Sequence, residues 1–368
     1  MKKLFTTILL IILVLDAAAR DLPKNIYSGL QGKNHIQGIV VDTKKGEAYM
    51  SFTTSFIKTD LEGNLIGSLV NITGHLGCMS LNPKDGKIYA SIEYKHDSIG
   101  ANIMKTLGVT NDTRDGFYIA IIDPEKVTEP EQDAATAMTT VEIKEALKDF
   151  NATGVYGDPH RYGCSGIDGV TFAPAIGKRG GKYYLYIAYG IYSETSRPDN
   201  DYQVILCYDV TDWEKYEQPL MANALHLSGP AKPDAKYFFL TGNTEWGLQG
   251  LCYDKETHCI FAAAYTGKKQ QYPNWNLFQI DCRKKPFKST LKGLNGEEGL
   301  VLSMGDDGYY QDGIHGWKFE YGTTGIAPLG KGLFYISENG KEKKTKKQFA
   351  NLHLYKWKGG EEGFVRVE

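Results

Sequence analysis

The sequence repeats one motif five times, and this repetition limits the folds that the chain can adopt. The first copy begins at His35 as His-Ile-Gln-Gly-Ile-Val-Val-Asp, and Tyr49-Met50-Ser51 follows fourteen residues after the His. The second copy begins at His75 and ends at Tyr89-Ala90-Ser91. Weaker copies surround Gly169, Gly250 and Gly325. A unit of this kind cannot bury its apolar face alone and stacks against its copies, so the motif predicts a repeat architecture.

Each copy reads as four strands. The first two are the Gly-Ile-Val-Val and Tyr-x-Ser segments, the third ends in Asp in four of five copies, and an outer strand follows, as at 65–69. Alternating polarity and turn residues such as Gly63 indicate strands, and an Asp after a strand is expected to cap the next turn. Four-stranded antiparallel units around an axis form a β-propeller. We therefore predict an all-β, five-bladed β-propeller, or six blades if an insertion holds another.

Two further elements can be assigned from local pattern. Val141–Phe150, inside a long insertion, is compatible with a short helix. Tyr27 is compatible with the start of a strand that closes the ring, although the fifth copy also supplies its own outer strand near Phe364.

The N-terminus has the pattern of a secretory signal peptide. Lys2 and Lys3 precede a twelve-residue apolar run, Leu4–Leu15, and small residues follow at Ala17–Ala19. The run is shorter than the roughly 20 residues of a spanning helix. We expect a signal peptide at residues 1–19, a single propeller domain at 20–368, export to the periplasm or the medium, and no membrane span.

The formal net charge of −2 gives no electrostatic reason to expect nucleic-acid binding. We also expect the protein to be a monomer. Six cysteines follow the signal peptide, and Cys252 and Cys259 flank a hairpin turn, so a disulfide between them is one alternative. The acidic stretch Asp199-Asn200-Asp201 is compatible with calcium or another divalent metal, or with a solvated turn.

Polar residues cluster just before the repeated glycines. In a propeller these segments enter the inner strands and meet at one mouth of the central channel, so we expect their side chains to converge. Imidazoles and carboxylates can transfer protons, Arg can hold an anionic group, and Trp can stack on a sugar ring. The catalytic candidates are His160, Arg161, Glu245, His315, Tyr189 and Asp168. The ligand-binding candidates are His35, His75, Glu93, Asn243, Trp246 and Trp317. Since His35 and His75 occupy equivalent repeat positions, a purely structural role is the alternative for them.

The repeat pattern resembles that of secreted β-propeller proteins, and two functional groups share features with it. Five-bladed glycosidases carry axial carboxylates, although this chain has His35 where such enzymes often place an Asp. Propeller polysaccharide lyases use axial His, Tyr and Arg on uronate sugars. The resemblance implies that this chemistry would be carried out by His160, Arg161, Tyr189 and His315. A looser likeness to lactonase-type propellers implies an axial calcium ion.

These features lead to one main hypothesis. The chain binds or acts on extracellular carbohydrate, or another small extracellular ligand, at the axial mouth by lyase or glycosidase chemistry. The alternatives are a non-catalytic scaffold that binds a glycan or a protein, and a metal-dependent lactonase-like or esterase-like hydrolase.

Overall fold

A computed structural model describes residues 22–108, 114–178 and 180–368. The predicted signal peptide, residues 1–19, lies outside the described residues. The described chain forms five small sheets around one axis, and this arrangement confirms the predicted five-bladed β-propeller.

Blades one and two each contain four antiparallel strands. The inner strand of every blade begins at the same end of the axis, which we term the entry mouth. Blade one consists of β2 (Ile36–Asp42), β3 (Glu47–Phe52), β4 (Ser55–Asp60) and β5 (Leu65–Val70), with the short β9 (Gln132–Asp133) parallel to β5. Blade two consists of β6 (His75–Leu81), β7 (Ile88–Tyr94), β8 (Gly116–Ile122) and β10 (Met138–Glu142).

Blade three is widened by a hairpin that follows blade four in the sequence. Its strands are β11 (Cys164–Pro174), β12 (Tyr183–Ile191), β13 (Tyr202–Tyr208), β14 (Ala235–Leu240), and the added β19 (Glu298–Val301) and β18 (Phe287–Thr290). Blade four has three paired strands, β15 (Glu245–Asp254), β16 (Cys259–Tyr265) and β17 (Leu277–Asp281), and the hairpin β20 (Tyr309–Gln311) and β21 (Ile314–Gly316) packs beside β17.

Blade five joins the two ends of the chain. Its strands are β22 (Ile326–Gly330), β23 (Leu333–Lys341) and β24 (Gln348–Trp357), with β25 (Phe364–Arg366) and β1 (Asn25–Tyr27) outside. Both outer strands pair with β24: β1 pairs with Asn351–His353 and β25 with Tyr355–Trp357. A closing strand is therefore present as predicted, but it ends at Tyr27 instead of starting there, and it shares its partner with the strand near Phe364.

Among the described residues of the insertions, two segments are α-helical. The first, α1 (Ser98–Leu107), follows β7, and the Asp97 carboxylate caps it by accepting the Gly100 N–H. The second, α2 (Lys144–Asn151), follows β10. The predicted helix began three residues too early because Val141 and Glu142 pair with β8 instead. Short 3₁₀ turns occupy Pro124–Lys126, Ala134–Thr136, Arg161–Gly163 and Trp213–Tyr216.

The apolar core lies between the blades. Five buried clusters are present in the described chain, and each joins side chains of two neighbouring blades. Tyr49 of blade one, for example, shares a cluster with Leu76 and Ile92 of blade two, and all three are almost fully buried. No blade buries its apolar face by itself, which is the physical reason for the repeated motif.

The repeated glycines lie where neighbouring inner strands approach most closely. A Cβ atom at Gly38 would lie 2.9 Å from the Cα of Cys78, one at Gly169 would lie 2.3 Å from the Leu248 carbonyl oxygen, and one at Gly250 would lie 2.2 Å from the Gly322 carbonyl oxygen. Contacts below 3.0 Å force the structure to shift. Four of the five copies therefore have Gly at this position, where little room is left for a side chain, and blade two accommodates the small side chain of Cys78 there.

The Asp residues that end the third strands cap the following turns, as predicted. The Asp60, Asp123, Asp209 and Asp281 carboxylates each accept a backbone N–H bond, from Asn64, Glu125, Thr211 and Arg283 respectively.

The disulfide considered between Cys252 and Cys259 is not formed, and all six cysteines are free and buried. Cys252 lies opposite Phe261, whereas Cys259 lies opposite Asp254, so the two cysteines are diagonal neighbours. Diagonal residues of an antiparallel pair are roughly 7–8 Å apart, which is beyond the usual Cα separation of a disulfide.

Replacing Gly250 by Ala should destabilise the ring. The added methyl group would overlap the Gly322 carbonyl, and overpacking of this kind costs about 1–3 kcal/mol. Gly32→Ala is the matched control, because a Cβ atom there meets nothing within 4 Å. We expect urea unfolding to show a lower free energy of unfolding for Gly250→Ala alone; equal stability of the two variants would contradict the proposed close approach.

Candidate functional site

An open cavity of about 370 Å³ lies at the entry mouth, where the inner strands begin. Side chains of blades one to four line it: Asn34, His35, Gln37, Thr53, His75, Glu93, Lys95, Asn102, Ile103, Ser165, Asp168, Trp246, Gln249 and Tyr265. The opposite mouth, of about 350 Å³, is lined mainly by apolar residues such as Ile39, Met79 and Leu251. The two ends of the axis therefore differ in chemistry, and polar residues form a larger part of the lining at the entry mouth.

Glu93 and Lys95 form a buried ion pair at the entry mouth. The Lys95 Nζ lies 2.7 Å from the Glu93 Oε1 and 3.5 Å from the Asp97 Oδ2. It also donates to the Ser165 carbonyl of blade three at 2.9 Å, and Glu93 accepts the Ile167 N–H of that blade at 3.3 Å. Burial opposes ionisation of Glu93, but the charge of Lys95 and the hydrogen bond from His75 lower the pKa of its carboxyl. Both partners are therefore charged near neutral pH, and both bind blade three.

The pKa of the Asp168 carboxyl is raised, whereas that of Glu93 is lowered. Burial, followed by the negative charge of Glu93, raises its pKa to about 6, although Lys95 acts in the other direction. Its Oδ2 accepts the Gly247 N–H of blade four at 3.1 Å, and the Gln249 side chain also hydrogen-bonds to it. A carboxyl group with a pKa close to neutrality can both accept and donate a proton.

Two imidazoles stand on the blade-one and blade-two side of the cavity. The Nδ1 of His75 lies 3.5 Å from the Glu93 Oε1, and the Nε2 of His35 lies 3.2 Å from the Gln37 Nε2. Burial and the nearby His75 lower the pKa of His35, so its ring is neutral near neutral pH. A neutral ring that faces an amide nitrogen can accept a hydrogen bond at one ring nitrogen and donate one at the other.

Aromatic rings and helix α1 complete the wall. Trp246 has a φ of +60°, a left-handed conformation that is rare for a bulky residue and costs free energy. Its ring packs edge-on against Tyr192 with centroids 6.2 Å apart. Tyr265 lies at the end of β16 on the same side, and Asn102 and Ile103 of α1 cover another side. The surrounding structure thus holds an indole at the cavity in a strained backbone conformation.

Five predicted site residues line this cavity: Asp168, His35, His75, Glu93 and Trp246. The other candidates lie outside it, and the structure gives each a different environment. The His160 Nδ1–H donates to the Phe150 carbonyl at 2.6 Å, and the Arg161 guanidinium pairs with Glu297 at 2.8 Å.

Tyr189 points away from the axis into the blade. It pairs with Ile167 as Phe52 pairs with Ile36, so it occupies the buried position of the repeat. Its hydroxyl donates to Asp149 of α2 at 3.1 Å, and its side chain is fully buried. The residue that shares the position of Thr53 and Glu93 is the next one, Gly190.

The remaining candidates belong to blade four and its hairpin. Glu245 pairs with Lys268 at 3.3 Å, and buried Asn243 accepts a hydrogen bond from the Ser193 hydroxyl at 3.3 Å. His315 lies in the β20–β21 hairpin with its ring against Tyr310, at a centroid distance of 4.7 Å. Trp317 is buried between blades four and five, and its indole N–H donates to the Gly360 carbonyl at 3.0 Å.

Sequence reasoning did not select several lining residues, notably Lys95, Thr53, Ser165 and Tyr265. The signal for two of them was present in the repeat. Thr53 and Tyr265 follow the second-strand segments of blades one and four at the position that Glu93 occupies in blade two. Lys95 lies two residues after Glu93 and therefore on the same side of the extended chain.

The acidic stretch at 199–201 is an internal ion-pair cluster. The Arg197 guanidinium holds the Asp199 carboxylate through two bonds of 2.9 and 3.0 Å, and Lys269 pairs with Asp201 and donates to the Asn200 Oδ1 at 2.7 Å. The carboxylates are thus neutralised by side-chain cations. Within residues 22–108, 114–178 and 180–368, no group of three His, Cys, Asp or Glu side chains is arranged to hold a metal ion. No helix in these ranges is long and apolar enough to cross a bilayer.

No protein-family model and no curated protein matches this sequence. Among solved structures, Drosophila semaphorin 2a is 10% identical with a TM-score of 0.38, and the match covers 95% of this chain and 54% of that chain. The Dos1 propeller is 12% identical with a TM-score of 0.34, covering 89% and 60%. A putative oxidoreductase (glucose dehydrogenase) from Thermus thermophilus is 10% identical with a TM-score of 0.37, covering 88% and 98%. This chain spans about half the length of the semaphorin chain, and the five-blade assignment stands on its own strand pairing.

The raised pKa of Asp168 predicts a pH-dependent stability difference between the protein and Asp168→Asn. Since the folded pKa of about 6 exceeds the ordinary value of 3.8, the folded state binds more protons between these pH values. The stabilisation that protonated Asp168 gives should be present below pH 4 and lost as the pH rises through 6. Relative to the Asn variant, the parent should lose on the order of 2 kcal/mol over this window.

Urea unfolding of both proteins at half-unit pH steps from 4 to 7.5 measures this difference. A difference that stays constant over the range would show that the folded pKa of Asp168 equals its ordinary value and would contradict the raised pKa.

Proposed function

We propose that the entry mouth binds a saccharide and that Asp168 transfers a proton during its conversion. One observation carries the proposal: a carboxyl group with a pKa of about 6, two imidazoles, an ammonium group and an indole surround a single open cavity. A volume of about 370 Å³ lies within the range of small-molecule sites.

The mixture of side chains favours a saccharide over an apolar ligand. Sugar hydroxyl groups donate and accept hydrogen bonds at short intervals, and Asn34, Gln37 and Gln249 offer both kinds of partner. Trp246 and Tyr265 provide aromatic surface that can cover the apolar face of a sugar ring. The predicted signal peptide supports an extracellular source for this ligand.

The two carboxyl groups support acid–base chemistry because their environments separate their pKa values. Lys95 and His75 keep Glu93 ionised, whereas burial and Glu93 itself make Asp168 easier to protonate. Pairs of carboxyl groups separated in this way commonly divide the roles of proton transfer and fixed negative charge. We assign proton transfer to Asp168 and stabilisation of developing positive charge to Glu93.

A second candidate function is favoured by a different observation. The same polar groups join neighbouring blades: Lys95 bonds the Ser165 carbonyl, Glu93 bonds the Ile167 N–H, and Asp168 bonds the Gly247 N–H. In this alternative the chain is a non-catalytic propeller that binds a glycan or a protein, and the polar axis stabilises the ring.

Substitutions at Asp168 and Trp246 distinguish the two. On a panel of neutral and uronate-containing polysaccharides, we expect Asp168→Asn to lower kcat by about 10²–10⁴-fold, the usual effect of losing a general acid or base. We expect Trp246→Ala to raise KM about tenfold through lost stacking, because about 1.4 kcal/mol of binding free energy corresponds to that factor.

The matched controls are Asp306→Asn and Tyr310→Ala, whose side chains are exposed and lie outside the cavity. Both should leave turnover unchanged. Arg161→Ala tests a catalytic candidate that lies outside the cavity. Loss of turnover in that variant, together with full activity of Asp168→Asn, would contradict proton transfer at the axis. Saccharide binding without turnover in the parent would support the non-catalytic alternative.

A further inference from the structure

A second, much smaller cavity lies on the axis directly below the entry mouth. Its volume is about 10 Å³, and its lining is formed by Gln37, His75, Gly77, Cys78, Ser91, Ile167, Asp168 and Gln249. Four of these residues, Gln37, His75, Asp168 and Gln249, also line the entry-mouth cavity. The small cavity is therefore adjacent to the carboxyl group to which we assign proton transfer.

The repeat shows that one serine here differs from its counterparts. Ser51, Ser91 and Ser337 end the Tyr-x-Ser segments of blades one, two and five, and all three are buried. The Ser51 hydroxyl donates to the Gly77 carbonyl at 2.7 Å, and the Ser337 hydroxyl is bonded to the Thr324 hydroxyl at 2.7 Å. The Ser91 Oγ, on a side chain that is 1% exposed, has no hydrogen-bond partner among the described residues.

The size and polarity of the cavity match one water molecule. A buried water needs roughly 10–15 Å³ and two to four polar partners, and buried hydroxyl groups without a protein partner normally bond to such waters. Ser91, Asp168, His75 and the amides of Gln37 and Gln249 supply these partners. A cavity of this size beside an unpartnered hydroxyl cannot take a larger ligand.

We propose that this axial cavity binds a single water molecule and that this water is the nucleophile for a saccharide in the entry mouth, which makes the reaction a hydrolysis. The inference rests on the proposed function and specifies its chemistry. The water oxygen forms a bond to the anomeric carbon while the bond from that carbon to the leaving oxygen breaks. One water proton passes to the Asp168 carboxylate, and the leaving oxygen takes a proton from solvent in the open mouth.

The water site is tested without any substrate. A high-resolution crystal structure of the full chain should show one ordered water within hydrogen-bond distance of the Ser91 Oγ and an Asp168 oxygen. In Ser91→Val, whose extra methyl group occupies the cavity, this water should be lost. An unoccupied cavity in the parent would overturn the proposal, whatever the activity of the protein.

The chemistry is tested by product mass on a saccharide that the parent converts. Hydrolysis gives fragments whose summed mass exceeds that of the substrate by one water, whereas elimination gives fragments whose sum equals it. We expect the former, and we expect Ser91→Val to lower turnover roughly 100-fold. Ser91→Ala is the second variant if the larger side chain prevents folding, and it should lower turnover at least about tenfold.

Ser337→Ala is the matched control, because it makes the same change at the same repeat position in a blade that lines neither the small cavity nor the entry-mouth cavity. It should keep the parental turnover. Elimination products, or equal turnover in the Ser91 and Ser337 variants, would overturn the hydrolytic water while leaving saccharide conversion at the mouth intact. Failure of the parent to convert any saccharide would instead refute the proposed function, and the crystallographic result would then decide the water site alone.

Discussion

The close approach of the five inner strands around the axis is the constraint on which the rest of the structure depends. At Gly38 and Gly169 a single added carbon would overlap the neighbouring inner strand, and at Gly250 it would overlap the Gly322 carbonyl in the loop that leads into β22. The first four inner strands also carry a register irregularity at or beside the repeated position. Such bulges bend a strand and redirect its side chains. Because the strands are so close, the polar groups at the entry mouth bond to the backbone of the neighbouring blade as well as to one another, and the entry mouth follows from the same packing that closes the ring.

The sequence allowed the fold to be predicted well because one physical requirement appears in every copy. Every copy has the same alternation, four of the five have the turn-capping Asp, and four have the glycine of the inner strand. The site was less predictable. His35, His75 and Glu93 sit at repeat positions and were found, whereas Tyr189 lies one residue from the lining position, and a shift of one residue in a strand reverses the side chain. His160 could not be placed from pattern, because an insertion and an irregular turn determine where its ring lies.

The residues of the entry mouth combine two roles that usually conflict. Lys95, Glu93 and Asp168 hold successive blades together, yet they are also the charged groups that a ligand would meet. Buried charges are costly unless each is paired, and removing one partner of such a pair is strongly destabilising. The ring can retain a carboxyl group with a raised pKa because backbone N–H and amide groups still bind it. Functional groups that also tie blades together are held firmly in place, which keeps their geometry constant.

Both β1 and β25 pair with β24, and this arrangement affects how the protein folds during its synthesis. Asn25 bonds to Asn351, 326 positions later, so β1 has no partner until β24 has been synthesised. Contacts of such sequence separation form slowly, and unpaired strand edges invite association with other chains. Blades one to four can pack in order as they emerge, but the circle stays open until the final segment arrives. A nascent copy therefore exposes the unpaired edge of β1 until β24 has been synthesised. The pairing of these two strands then decides whether the ring closes within one molecule.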